Sequence, residues 1–586
     1  MTRTPQVIKL DPSCYRGYER RHAALHGSQR YPEAFEAFDV MLTTIEQSPD
    51  PHVRGESLPA CHMRAHSIYF ITDLRDQYVD ATPTIRDVVK ETIRQMPRVL
   101  IDTATGRLHD KSRQAAAFEA LPIYSELLSS MTRRVDRPRI RRAVEKFYRY
   151  VMLSHRWDYN EPLFQMVENI SIYKLATSPA NNKLQMFCKL VQSFGFQWAW
   201  SDTCCVDKTN HVVLQESLVA MFTWYCGASL TIVYLCGIQS QSQKIGDLWK
   251  SVWNTRGWTF QEYVASKVIQ FYTEDWQPYL GLDRFNHKES PAIISEMENA
   301  TGVSAQELVS LRPGLDRVRE KLYLASTRQT TLVEDIAYSL FGIFNVGITV
   351  MYGEGNRAVG RLLENILTGS GDVAVLAWTG HSGSYNSCLP SDLTVYNQLA
   401  ISHIPSPLNN TDMTNSLTEL HASLRDPSLA EKLYDHVNNL PVPLLVASRL
   451  RLPGIVFPLA EFILVSDLDP NTGLRVYRAT MESALGNVEI QTADDLSGMK
   501  DLLLVHPWIR PLLDQEFSEG AGALDKTTRA LRFVARLRQP FGALLLAPLS
   551  RVEYRRVATD SLLMMQVRDE TSLTDLIDNV RTIDIQ

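Results

Sequence analysis

Three short polar clusters carry the residue types best suited to chemistry, the first two just past an apolar or aromatic run and the third leading into a helical or loop segment and then a strand. Residues 150–157 (YVMLSHRW) present Ser154, His155, Arg156 and Trp157, and residues 198–208 (WAWSDTCCVDK) present Asp202 and Asp207. Residues 254–262 (NTRGWTFQE) lead through Trp258 to Glu262. In open α/β sheets, polar residues just beyond strand C-termini converge on the crevice where ligands bind. The same residue types also serve as helix caps and buried ion pairs, so a binding reading and a structural one both stand at this point.

Other chemistries are weaker. Cys204 and Cys205 with His155 could form a thiol nucleophile and its base, but adjacent cysteines after a buried strand also pack as small apolar fillers. Cys61, His62 and His66 offer three soft ligands without a second cysteine pair, so no metal is expected. The dipeptide Gly-Lys occurs nowhere, which excludes a standard P-loop. Residues 353–358 match GxGxxA after a strand-like run at 348–351, with Asp372 near the offset for a ribose contact. No βαβ pattern surrounds them, and a turn into a helix explains the same residues. The basic run Arg133, Arg134, Arg137, Arg139, Arg141 and Arg142 holds only Asp136 as counter-charge; a solvated helix face is expected over a nucleic-acid footprint.

These clusters must be held by regular elements. Strands are expected at 150–154, 198–201, 230–235 and 268–272, with helices at 183–194 and 214–225 between them. Eight of the ten tryptophans fall between Trp157 and Trp276, which marks one compact unit with an aromatic interior. Strands alternating with helices predict an α/β fold with a mostly parallel sheet flanked by helices. No charged residue lies between Glu216 and Lys244, long enough for a membrane span. A helix with Leu214, Leu218, Val219, Met221, Phe222 and Tyr225 on one face, then a strand at 231–235, accounts for it better, so no span is expected.

The chain of 586 residues predicts about two to four domains. Sixty Lys and Arg against 66 Asp and Glu leave a net charge of −6, which argues against a nucleic-acid partner. Eight scattered cysteines and an N-terminus without an apolar core predict a reducing, cytoplasmic setting and no cleaved secretory signal. The expected layout is a mixed, mainly helical region at 1–145, a central α/β domain at 146–280, a helical extension at 281–395 and a β-rich region at 396–586. Within the extension, Ser304 and Glu307 have the spacing of a capping box.

In this order and spacing the three clusters resemble the fungal heterokaryon incompatibility (HET) domain. Residues 328–344 (RQTTLVEDIAYSLFGIF) and 351–355 (MYGEG) are similar to segments that commonly follow it in basidiomycete-type members, so the resemblance covers about 147–395. It implies a TIR-like fold and a role in programmed cell death after non-self recognition. Some TIR domains cleave NAD with one glutamate in a Trp-x-x-x-Glu context, which Trp258 and Glu262 fit. The resemblance thus implies Glu262 as the catalytic carboxylate, with NAD as substrate rather than cofactor. Ser154, Arg156, Trp157, Asp202, Asp207 and Trp258 would then contact substrate. The competing expectation is a non-enzymatic module that triggers death by assembling with unknown protein partners or as a homo-oligomer.

Overall fold

The structure is a computed structural model. It describes all residues except 1–10, 28–29, 56–78, 132–133, 159, 283–285, 398–409, 425, 468–474, 482–487, 493, 497, 509–524, 539–540 and 566–572. Cys61, His62, His66 and Arg133 lie outside the described residues. The chain divides into two compact units: residues 1–153, 157–217 and 223–232 form one, and 154–156, 218–222 and 233–586 the other.

The fold is mixed α/β. Its first sheet has the strand order β2-β1-β4-β3-β5-β6, with β1 at Val99–Asp102, β2 at Arg107–Asp110, β3 at Tyr150–His155, β4 at Trp198–Trp200, β5 at Leu230–Leu235 and β6 at Ile269–Thr273. Strands β3 and β4 run parallel, with Val151 beside Ala199, whereas β1 runs antiparallel to both β2 and β4. The sheet is therefore mixed. The β1–β2 hairpin comes from the stretch expected to be mainly helical, because a four-residue strand offers too few alternations to declare itself. Its turn uses Gly106 at φ +65°, where an added Cβ would lie 2.7 Å from Ser171 Oγ and from the Tyr173 ring.

In the first unit, helices α1 (Thr82–Arg94), α2 (Lys111–Glu119), α3 (Arg137–Phe147) and α4 (Pro179–Ser193) accompany these strands. Asp110 caps α2 by accepting the Arg113 amide, and Ser178 caps α4 by accepting that of Asn181. Arg137 and Arg141 both bind Glu91, and Arg139 binds Glu126, so much of the basic run is a set of surface ion pairs.

Helix α5 (His211–Gly227) and β5 fill the long uncharged stretch. Among the described residues no helix is long and apolar enough to cross a membrane. One expected core position fails: Val219 is 50% exposed. Met221, Phe222 and Tyr225 are buried as expected, joined by Ser217 and Trp224, and Val219 sits off that face.

The second unit holds a nine-stranded sheet at the C-terminal end. Its strands are β7 (Leu444–Val446), β8 (Arg449–Ser466), β9 (Arg475–Met481), β10 (Val488–Thr492), β11 (Leu503–Pro507), β12 (Phe541–Pro548), β13 (Glu553–Arg556), β14 (Leu563–Met565) and β15 (Val580–Ile585). Pairing closes on itself, since β15 joins both β13 and β8. Leu433 and Val437 of one helix (Pro427–Asn438) and Leu531 and Val534 of another (Lys526–Leu537) share a core with Ile455, Phe457, Leu504 and Leu545 of the strands. Upstream, Ser304 and Glu307 form the expected capping box.

Candidate functional site

The candidate residues gather in two groups, one in each unit. The buried group centres on helix α6 (Gly257–Ala265), which the 254–262 segment forms. Arg256, in extended conformation, stands at the N-cap and bridges to Gln329, and the Gly257 amide donates to the Gln329 carbonyl at 2.9 Å. This close approach requires glycine: a Cβ on Gly257 would lie 2.5 Å from Thr330 Cγ2. Thr259 Oγ1 donates to the Trp253 carbonyl at 2.7 Å, fixing the first turn.

Glu262 is 6% exposed, and its carboxylate accepts a short hydrogen bond from Ser154 Oγ at the end of β3. Trp253 Nε1 donates to the same Ser154 oxygen at 2.8 Å, which leaves the hydroxyl proton aimed at the carboxylate. The His155 carbonyl accepts from Arg256 Nη1 at 2.8 Å, tying the strand end to the helix start. Arg328 is buried and donates through Nη1 to the Arg256 carbonyl at 3.0 Å and to Thr259 Oγ1 at 3.1 Å. Burial pulls its guanidinium down to about 10, against the Glu262 charge, so it stays a cation at neutral pH.

One turn before Glu262, Trp258 Nε1 donates to Asp335 Oδ2 at 3.2 Å, and Tyr352 OH donates to the other oxygen at 2.9 Å. Burial raises the Asp335 carboxyl above the usual range despite those two donors. Beside it, Glu334 accepts the amides of Gly353 and Gly355, both at 2.9 Å. These glycines have φ of +98° and +60°, a conformation that turns amides toward an anion. The chain's own carboxylate occupies that turn, and residues 348–350 form no strand, so the dinucleotide-fingerprint reading of 353–358 fails. Asp372 instead caps a short turn by accepting the Ala374 amide.

The exposed group lies in the first unit. Trp157 is 42% exposed, donates through Nε1 to Asp202 Oδ2 at 2.7 Å, and carries Lys208 Nζ 3.3 Å above its ring. Asp207 Oδ1 accepts from Thr209 and from Gln165 Nε2 at 2.6 Å, and the Thr209 hydroxyl bond leads in holding its carboxyl low. Arg156, placed in the second unit with Ser154, is exposed. Cys204 and Cys205 are both buried, and the hydrogen bond between them and the loss of solvent push the Cys204 thiol well up. It stays protonated, which counts against Cys204 as a nucleophile. The described cysteines are all free, and no metal-holding cluster occurs among the described residues.

Ser154, Glu262 and Trp258 were visible as candidates; Trp253, Arg328, Asp335 and Tyr352 were not given roles. The arginine and the acidic pair of residues 328–344 were the available signal. Chemically, the buried group offers one positioned carboxylate, a hydroxyl with a fixed proton direction and a buried cation.

A family model described as heterokaryon incompatibility protein (HET) matches residues 150–246. The chain is also similar to "Vegetative incompatibility protein HET-E-1" of Podospora anserina, at 33% identity over 243 residues, which is 39% of this chain and 17% of the relative. The chain thus spans under a fifth of the length of that curated relative. No solved structure matches it. β3, β4, α5 and β5 all lie inside the matched segment, so the similarity to the HET domain falls on the elements around Ser154 and Asp202.

Proposed function

We propose that the chain acts in fungal vegetative incompatibility, as a cytoplasmic effector of cell death whose TIR-like domain cleaves NAD at Glu262. The bond broken is the N-glycosidic bond between ribose C1′ and the nicotinamide nitrogen. Nicotinamide takes the bonding pair and leaves neutral from a pyridinium, so no general acid is required. Water then adds at C1′ and loses a proton to solvent or base. The demand on the protein is to stabilise oxocarbenium-like charge at the ribose, which one positioned carboxylate can meet.

The observation that supports this reading is the Trp253–Ser154–Glu262 chain of hydrogen bonds, which orients the carboxylate before any substrate binds. The test is nicotinamide release from NAD by the purified full chain and by Glu262→Gln, with circular dichroism checking that both are folded. Wild-type turnover falling at least about 100-fold in the variant is the expected result. Absence of turnover in the wild type, with undiminished cell killing by Glu262→Gln, would instead favour an assembly signal. The enclosure of Glu262, 6% exposed and bonded to Ser154, is the observation that favours that second reading.

A further inference from the structure

Away from the candidate site, the first unit carries a groove of about 430 Å³ between α1, α2 and the helix Pro122–Ser129. Its floor is aliphatic: Ile85, Val89 and Ile93 of α1 are buried on the face turned toward it, and Ala115 of α2 and Tyr124 complete it. Its rim is basic. Arg86, Lys90, Arg94 and Lys111 line it, against Glu119 as the sole acidic lining residue. Glu119 reaches Arg86 at 3.9 Å, while Lys90, Arg94 and Lys111 form no ion pair among the described residues. The two acids beside them on α1 do not relieve this: Glu91 is engaged by Arg137 and Arg141, and Asp87 does not line the groove.

Lys111 is the first residue of α2, whose N-terminal end carries partial positive charge and whose Arg113 amide is taken by the Asp110 carboxylate. Burial, then the nearby Arg98 and Arg94 charges, pull the Lys111 ammonium below its ordinary value, against Glu216. Arg98 is itself held by Glu216 at 3.4 Å. A cationic end above an apolar trough, at a volume typical of small-molecule sites, defines a ligand with one anionic head and an aliphatic body. We propose that this groove binds an alkyl carboxylate, with its head between Arg94 and Lys111 and its chain along Ile85, Val89 and Ile93. An aliphatic floor with one aromatic side chain favours an alkyl tail over a fused-ring one, and the cluster of unpaired cations favours a carboxylate over a neutral amphiphile.

The experiment is calorimetric titration of the full chain with dodecanoate below its micellar concentration. Dodecanol and dodecyltrimethylammonium serve as neutral and cationic probes of the same length. Binding of dodecanoate at one site, at least tenfold tighter than either probe, is expected. The double substitution Arg94→Gln and Lys111→Gln should weaken it tenfold or more and leave the unfolding midpoint nearly unchanged, since Arg94 is exposed, Lys111 is only half-buried, and neither forms an ion pair among the described residues. Ala115→Trp, which fills the trough, should abolish it. No dodecanoate binding, equal binding of all three probes, or unchanged binding by both variants would overturn the proposal. Binding of an acidic amphipathic peptide where dodecanoate fails would overturn it in favour of a protein partner.

Discussion

Around Glu262 the polar groups are enclosed and tied to one another across three segments distant in sequence, with a buried guanidinium in their midst. Around Trp157 the same kinds of groups, an indole, carboxylates and a cation, sit in partial contact with solvent and join only two segments, 157–165 and 202–209. The difference teaches where charge is expensive. A buried carboxylate or guanidinium that loses its partner keeps its desolvation cost, whereas an exposed one recovers water. Loss of function after substitution therefore has to be separated from loss of fold in the first cluster, and reads more directly in the second.

The largest expected effect comes from Arg328→Ala. It removes the buried cation and its bonds to Arg256 and Thr259, and should cost about 3–5 kcal/mol in urea unfolding. A loss under about 1 kcal/mol would mean that the Glu262 cluster is as loosely held as the exposed one. Gly257→Ala comes next. Its new methyl meets Thr330, so about 1–3 kcal/mol should be lost, and the tryptophan emission of the folded protein should shift as Trp253 and Trp258 move. Unchanged stability would show that the start of α6 can give way.

Acidity separates the two clusters by sign. Asp335 has a raised carboxyl pKa, so its contribution is fully present below the unfolded value and is lost as pH climbs through the folded one. Asp335→Asn should therefore gain on the wild type as pH rises between about 3 and 7. Asp207 has a lowered pKa, so its contribution is present above the unfolded value and fades as pH falls through the folded one. Asp207→Asn should lose on the wild type over that same rise. Thermal unfolding of both variants across the range checks this, and slopes of equal sign would remove the contrast. The smallest effect belongs to Lys208→Ala, which deletes the cation above the Trp157 ring and should cost about 0.5–2 kcal/mol in thermal or urea unfolding. A cost as large as that of Arg328→Ala would break the comparison altogether.

Much of the first sheet was legible because its strands are unusually clear. Residues 230–235 form a β-branched and aromatic run bounded by turn signals, and β5 occupies those residues. Helix α4 begins at Pro179, four residues before the apolar periodicity shows it, because Ser178 and Pro179 start the helix by capping and by fixed φ. Ser154 was legible as a candidate from residue type and placement after a strand-like run, and Glu262 from the Trp-x-x-x-Glu spacing that the family resemblance supplied. Their union was not, since 108 residues separate them and no local pattern encodes that pairing. Arg328 was hidden for the same reason: a lone arginine in a sequence says nothing about burial, which its neighbours in space decide.

By itself, the sequence determined the elements whose signal is local: the tryptophan-rich strands, the capping box at Ser304 and Glu307, and the helix-then-strand solution for the uncharged stretch. These follow from periodicity, side-chain hydrogen bonding to nearby amides and β-branched packing, all of which act within a few residues. Tertiary structure alone decided that Trp253, Ser154 and Glu262 form one chain of hydrogen bonds, that Glu334 fills the Gly353–Gly355 turn, and that Cys204 is a sealed thiol. Each depends on which desolvated groups meet across long separations, and that is settled by the packing of whole elements rather than by any local propensity.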